Sequence, residues 1–324
     1  LEPFYDSYPV CCGLAGAHPR LVRLRAPDFR FTPRDLEEAF SPATRVVLIN
    51  TPHNPTGRAL GLGELELIAG FCRRYDAICV TDEVYDEIYF ETPHTPMATL
   101  PGMRERTITI GSIGKTFSVT GWKVGFASGP RRLMEAVTGL HQYVTFAAPT
   151  PFQRAAARAL RAPASYFEGL RKEYRLRRDF LAGVLRDCGF GVSIPEGTYF
   201  IMADTRPLGA PDAERFCREM VARAGVAAVP ASALYRAEAF RPVSAFEHQA
   251  GDDRAASASS SPAPALSSRP PAAGSAAPET GARPTDDEAS AFLRFAFCKT
   301  MPTLEEAARR LRAMAGLGSA RPQS

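Results

Sequence analysis

Apolar residues in the first half of the chain fall into short runs separated by stretches with helical spacing. "RVVLIN" (Arg45–Asn50) is a continuous apolar run that ends in an amide, and the turn-forming "TPHNPTG" follows it. "GELELIAGFCRRY" places its apolar residues on one face of a helix. "AICVTDE", "RTITIGS" and "KVGFASG" are further strand candidates. Strands alternating with helices, each closed by polar residues, predict an α/β fold with a largely parallel sheet. Ligands of such sheets bind beyond the carboxyl ends of the strands. Asn54, Asp82 and Lys115 all fall just after strand candidates.

The pattern changes near residue 162. "SYFEGLRKEYRLRRDFLAGVLRDCGF" reads as one long arginine-rich amphipathic helix. "GVSIPEGTYFIMAD" predicts a strand or hairpin, followed by a helix around Ala213–Ala224. "GVAAVPAS" and "AFLRFAFCK" are strands, and "TLEEAARRLRAMAGL" is a closing helix with Thr303 as its expected N-cap. We therefore expect a large α/β domain over 1–162 and a smaller C-terminal α+β domain over 163–324. Within the latter, about 248–288 is rich in Ala, Ser, Pro and Gly and nearly free of large apolar residues. Such a segment buries too little surface to offset its ordering entropy, so a disordered insertion is expected, with a docking or phosphorylation segment as the functional alternative.

Composition narrows the function. The net charge is +4 and the charges are mixed, which argues against nucleic acid or an anionic membrane as the main partner. No apolar run is long enough to span a bilayer. The seven cysteines are odd in number and scattered without a CxxC pair, which favours a reducing compartment over zinc. A cytoplasmic location is the expectation, with an organelle as the alternative. The first residue is leucine, and "LEPFYDSYPV" lacks the basic and apolar regions of a signal peptide. It reads like the middle of a domain, so an N-terminally incomplete chain is expected.

Lysine is scarce: only Lys115, Lys123, Lys172 and Lys299 occur among the 39 Lys plus Arg, and two of them lie in "GSIGKTFSVTGWKVG". The segment has the ending of a phosphate-binding loop, GxxxxGK[ST], but Thr109 stands where that motif needs its first glycine. A lysine used as a nucleophilic amine fits better, because guanidinium stays protonated and forms no Schiff base. The other strand ends hold a carboxylate (Asp82), a phenol (Tyr85) and an amide (Asn54). Pyridoxal phosphate needs this set: a buried acid for its ring nitrogen, neutral donors for its ring oxygen, an amine for its aldehyde, and a hydroxyl and a cation for its phosphate.

"NTPHNPTG", "TDEVYDEIYF" and "GSIGKTFSVTGWKVG", in this order and spacing, resemble the fold-type I pyridoxal-phosphate aminotransferases. "EPFYDSY", "PEGTYF", "GVAAVPASALY" and "LRFAFCK" extend the resemblance over nearly the whole chain except the insertion. Within that family the sequence is most similar to the group of kynurenine–oxoglutarate transaminase, glutamine transaminase K and cysteine-S-conjugate β-lyase. The resemblance implies roles by position. Lys115 would bind the cofactor aldehyde as a Schiff base and then move the proton from the substrate Cα. Asp82 would pair with the pyridine nitrogen. Tyr85 and Asn54 would donate to the ring oxygen, Ser112 and Lys123 would bind the phosphate, and Tyr5 would lie against the ring face. Arg294 would grip the substrate α-carboxylate, with Asn54 reaching it too.

It also implies amino-acid and 2-oxo-acid substrates, with aromatic amino acids, kynurenine or glutamine as donors, and a homodimer. Further family contacts come from the segment before "EPF", so the sequence is expected to be the C-terminal part of such an enzyme. Two alternatives stay open: β-lyase chemistry on the same site, and a truncated, non-catalytic relative that dimerises with or regulates a full-length enzyme. His53, Glu83, Asn50 and Ser118 lie in or beside these motifs and are given no catalytic role; a turn role is as fitting for Asn50, and a structural one for Glu83.

Overall fold

The structure, a computed structural model, describes residues 1–235 and 289–316. The insertion expected at about 248–288 lies outside the described residues.

The opening segment carries helix α1 (Ser7–Leu14) and helix α2 (Pro33–Ala39). Thr32 and Asp35 start α2 as a capping box: the Thr32 hydroxyl oxygen accepts from the Asp35 amide, and Asp35 accepts from the Thr32 amide. Strand β1 (Val46–Asn50) leads through the proline-rich turn to helix α3 (Leu62–Arg74). There Glu64 accepts from the Gly61 amide at the N-terminus, and Arg73 and Arg74 sit in the last turn, where the helix dipole favours cations. Strand β2 (Ile78–Asp82), strand β3 (Thr107–Ser112), the one-turn helix α4 (Ile113–Thr116) and strand β4 (Gly125–Ser128) complete the first sheet.

Its order is β1-β2-β3-β4. β1, β2 and β3 run parallel, as expected, and β4 returns antiparallel. The connection before β4 explains the reversal. It holds only α4 and a short 3₁₀ turn at Thr120–Trp122, too little for a crossover back to a parallel start.

Helices α5 (Arg131–Val144) and α6 (Thr150–Ala159) precede the long helix α7 (Ala164–Asp187), which lies where the arginine-rich pattern placed it. Strands β5 (Gly191–Ser193), β6 (Phe200–Asp204), β7 (Val229–Pro230) and β8 (Phe292–Ala296) form an antiparallel sheet ordered β5-β6-β8-β7. Helix α8 (Ala213–Ala224) is capped by Asp212 and ends at Gly225 in the left-handed region. Helix α9 (Met301–Met314) begins earlier than expected: Thr300, not Thr303, is its N-cap. Met301 and Pro302 occupy the first turn, where proline's missing N–H costs nothing, and the Thr300 and Thr303 hydroxyls bond each other at 2.9 Å.

Among the described residues two large apolar cores hold the fold, each drawing on both halves of the chain, and a third, small cluster gathers Ile113, Val124 and Ala156. One packs Tyr174, Leu181 and Leu185 of α7, with Leu304 and Leu311 of α9, against Ile201, Phe295 and the early-chain Ile88 and Phe90. The other packs Leu24, Phe29, Ile49, Leu65 and Ile68 against Met202 and Phe292. A backbone seam joins the halves beside the first sheet. Glu196 and Gly197 donate to the Gly57 carbonyl at 2.8 and 2.7 Å, and Thr198 donates to Ile88 at 2.8 Å. "PEGTYF" is thereby laid against the turn that follows β1. Among the described residues, no helix is long and apolar enough to cross a membrane.

Candidate active site

Parallel register brings the polar strand ends together. Asn50 at the end of β1 is the partner of Asp82 at the end of β2, and Ser112 ends the neighbouring β3. Alternation along β2 turns Thr81 into the core, fully buried, and leaves Asp82 on the other face. One Asp82 oxygen, Oδ1, accepts from the Val84 amide at 3.2 Å; the other, Oδ2, accepts from the Tyr8 hydroxyl at 2.6 Å. Burial pushes the Asp82 carboxyl pKa up, while the Tyr8 hydrogen bond, the Val84 amide and the Lys115 charge pull it down.

The turn after β1 is held by Asn50. Its Nδ2 donates to the Asp82 carbonyl at 2.8 Å, and its Oδ1 accepts from the Asn54 amide at 2.7 Å. Asn54 is buried, and its side-chain oxygen accepts from Arg294 Nη1 at 2.6 Å. Arg294 reaches this point because β8 pairs with β6, Met202 opposite Arg294, and its guanidinium lies 4.2 Å from the Phe200 ring centroid. Burial holds its pKa below the ordinary arginine value.

Lys115 stands on α4. Ser112 caps that turn, its hydroxyl oxygen accepting from the Gly114 amide at 3.0 Å. The Lys115 Nζ lies 5.8 Å from the Tyr85 ring centroid. Burial lowers the Lys115 pKa, Asp82 raises it, and the charges of Lys123 and Arg294 lower it further. Asp82 and Lys115 thus act on each other without a direct ion pair. Tyr85 is buried, and its ring meets Tyr199 edge-on at 5.3 Å. Burial and the Tyr199 hydroxyl raise the Tyr85 pKa, so the phenol keeps its proton as a donor. Lys123 is exposed, with a left-handed backbone at φ 55°. The pairing of Ser112 with Gly125 carries it near Ser112.

Six of the residues singled out from sequence therefore gather at the carboxyl ends of β1, β2 and β3, with Arg294 reaching in from β8: Asn54, Asp82, Tyr85, Ser112, Lys115 and Arg294. Lys123 joins them at the surface. Tyr5 is 42% exposed and is tied to the site through Tyr8, whose ring it meets edge-on at 5.5 Å. His53 is fully buried, 2.7 Å from the Thr56 hydroxyl, and burial above all drives its pKa down, with Arg58 adding to the effect. Glu83 points away from Asp82, accepting from the Met97 amide at 3.1 Å and lying 3.0 Å from His94 Nε2. Ser118 is exposed. Sequence reasoning missed Tyr8 and Phe200. Tyr5 and Tyr8 stand three apart in "YDSY", where the Tyr8 amide donates to the Tyr5 carbonyl at 3.1 Å in the turn that enters α1, and that spacing was the available signal for the first.

The donor set fits pyridoxal phosphate. A half-buried carboxylate, a buried phenol, an amide whose oxygen is held by Arg294, an amine of lowered pKa, and the Ser112 and Lys123 positions joined through the β3–β4 pairing lie around the strand ends.

Comparison with known proteins agrees. Residues 1–256 match the model of the aminotransferase class I and II family. The chain is 39% identical over 319 residues to the probable N-succinyldiaminopimelate aminotransferase DapC of Mycobacterium tuberculosis, covering 97% of this chain and 70% of that protein. It is 40% identical over 261 residues to mouse kynurenine–oxoglutarate transaminase 3, covering 72% of this chain and 57% of the relative. The solved M. tuberculosis N-succinyldiaminopimelate aminotransferase superposes with a TM-score of 0.79 at 36% identity, covering 98% of this chain and 70% of that one. The chain belongs to the class I and II aminotransferases, and the fold is that of fold-type I. It is a pyridoxal-phosphate-dependent aminotransferase.

Proposed function

We propose that this site transfers the amino group between an α-amino acid and a 2-oxo acid, with the roles distributed as follows. Arg294 grips the α-carboxylate by two N–H groups, and Asn54 orients that arginine. Asp82 holds the ring nitrogen of the cofactor in its protonated form. Tyr85 and the Asn54 amide donate to the ring oxygen. Ser112 and Lys123 hold the phosphate, and Tyr5 covers the ring face. Bound pyridoxal phosphate supplies the electron sink that makes the substrate Cα proton acidic. Lys115 anchors the aldehyde carbon and carries that proton, and its lowered pKa favours the neutral amine a base requires. The observation that carries this reading is the Arg294–Asn54 bond. It sets the carboxylate-gripping group beside the same turn and strand edge that hold Asp82 and Lys115.

Aromatic amino acids, kynurenine or glutamine are the proposed donors, as the resemblance of the motifs implies; the buried rings of Tyr199 and Phe200 pack behind Tyr85 and Arg294. A second reading, an N-succinyldiaminopimelate-type donor, is favoured by the relative that aligns over 97% of this chain. We also retain the division near residue 162 as the domain boundary and a homodimer as the working assembly. A donor panel decides between the substrates: phenylalanine, kynurenine, glutamine, N-succinyldiaminopimelate and a cysteine S-conjugate, each with 2-oxoglutarate. The proposal requires the highest kcat/KM among the first three. Preference for the succinylated donor selects the second reading, and pyruvate release from the S-conjugate reports lyase chemistry. No turnover with any of them points to the non-catalytic relative.

A further inference from the structure

We propose that Tyr8 is a positioning residue: its hydroxyl fixes the Asp82 carboxylate, and its ring braces Tyr5, so one phenol sets two contacts with the cofactor ring. The proposal rests on Asp82 as the partner of the ring nitrogen.

Tyr8 lies in the first turn of α1, 74 residues before Asp82. Its O–H···Oδ2 distance of 2.6 Å is that of a hydrogen bond to a charged acceptor. The Val84 amide takes the other oxygen at 3.2 Å. Two donors from different elements, one on each oxygen, define the plane of the carboxylate, which a single donor would leave free to turn. Four groups act electrostatically on or from Asp82: Tyr8, Lys115, Glu83 and Tyr85. Burial and Glu83 favour the protonated acid; the Tyr8 bond is the largest influence opposing them. Without that hydroxyl, only an amide and the Lys115 charge would keep Asp82 ionised.

Tyr8 itself is a durable donor. Burial, then the Asp82 charge, push its pKa far above the ordinary phenol value, so it remains a donor at neutral pH. The same ring meets Tyr5 at 5.5 Å and 81°, an edge-to-face contact that sets the tilt of the exposed Tyr5 ring. The hydroxyl and the ring thus have separable functions.

Tyr8→Phe removes the first and keeps the second; Tyr8→Leu removes both. The decisive readout is the ¹³C carboxyl titration of Asp82 in cofactor-free protein, which needs no turnover. Tyr8→Phe is expected to raise the Asp82 midpoint by about one pH unit and to weaken pyridoxal phosphate binding about tenfold. In an Asp82→Asn background the same change should alter cofactor affinity less than about twofold, because the partner is gone. Tyr8→Leu should weaken affinity beyond Tyr8→Phe. If Tyr8→Phe disturbs folding, 3-fluorotyrosine at position 8, a stronger donor, is expected to lower the Asp82 midpoint instead.

An unmoved Asp82 midpoint overturns the proposal, as does an equal loss of affinity in both backgrounds. Equal affinity of Tyr8→Leu and Tyr8→Phe removes the brace. If Asp82→Asn alone leaves cofactor affinity unchanged, the assignment of Asp82 to the ring nitrogen fails, and the titration still decides whether Tyr8 fixes Asp82.

Discussion

Arg294 Nη1 donates to the Asn54 side-chain oxygen at 2.6 Å across 240 residues of chain. The bond joins β8 to the turn after β1. It also fixes which way the Asn54 amide faces: with the oxygen taken by arginine, the nitrogen is left as a donor. Arg294→Lys keeps the charge but loses the planar fork. It is expected to raise KM for every α-carboxylate substrate by about ten- to a hundredfold, with cofactor affinity nearly unchanged. Asn54→Ala is expected to raise KM and weaken the cofactor together, because both contacts pass through one amide. Steady-state kinetics and a cofactor titration separate the two patterns.

The two lysines of "GSIGKTFSVTGWKVG" are proposed to divide the chemistry. Lys115→Arg removes the amine that feels the Asp82 charge and lies over the Tyr85 ring, and turnover is expected to fall at least about a thousandfold. Lys123→Arg keeps a cation beside Ser112, and is expected to weaken cofactor binding about tenfold while turnover at saturating cofactor changes little. Equal losses in both variants would contradict this division.

Asp86, in the turn after β2, gives the fold a pH dependence. Its Oδ1 accepts from the Glu87 amide at 2.9 Å, and burial first, then the Glu87 charge, raise its pKa from 3.8 to about 6. A carboxyl whose folded pKa is raised favours folding in its protonated form. Its contribution is complete below about pH 4 and is lost as pH rises through about 6. Asp86→Asn should therefore stabilise the protein above pH 6, by at most about 3 kcal/mol, and be neutral near pH 4. Thermal melts of both proteins at pH 4 and pH 8 test the sign.

Gly57 is where "NTPHNPTG" meets "PEGTYF". Its φ is +73°, and a Cβ there would stand 2.3 Å from the Pro195 Cβ and 3.0 Å from the Phe200 carbonyl oxygen. Gly57→Ala carries both a backbone and a steric penalty, and is expected to destabilise by about 1–3 kcal/mol. Because Phe200 supports Arg294, KM should rise as well. Denaturant unfolding with kinetics on the folded fraction checks both.

Local rules made the strand ends readable. Apolar runs such as "VVLIN" and "ICVTD" stop at a polar residue, and those residues are Asn50 and Asp82. The motif order then brought Lys115, Tyr85 and Arg294 into one reading before any contact was visible. Two kinds of feature were hidden. Contacts closed by tertiary structure, such as Tyr8 on Asp82 and Phe200 beneath Arg294, leave only faint traces in spacing. The antiparallel β4 follows from the shortness of Ile113–Val124, which periodicity does not weigh. Thr300 displaced Thr303 as the cap of α9 because a proline two residues on pre-sets the first turn.

Lys115 is the amine proposed to bind the cofactor. The protein is incubated with pyridoxal phosphate, reduced with borohydride and digested, and the adduct is located by mass spectrometry. Loss of the visible absorption band and a stoichiometric adduct on Lys115 are expected. An adduct confined to Lys123, Lys172 or Lys299, or no adduct at saturating cofactor, would contradict that assignment.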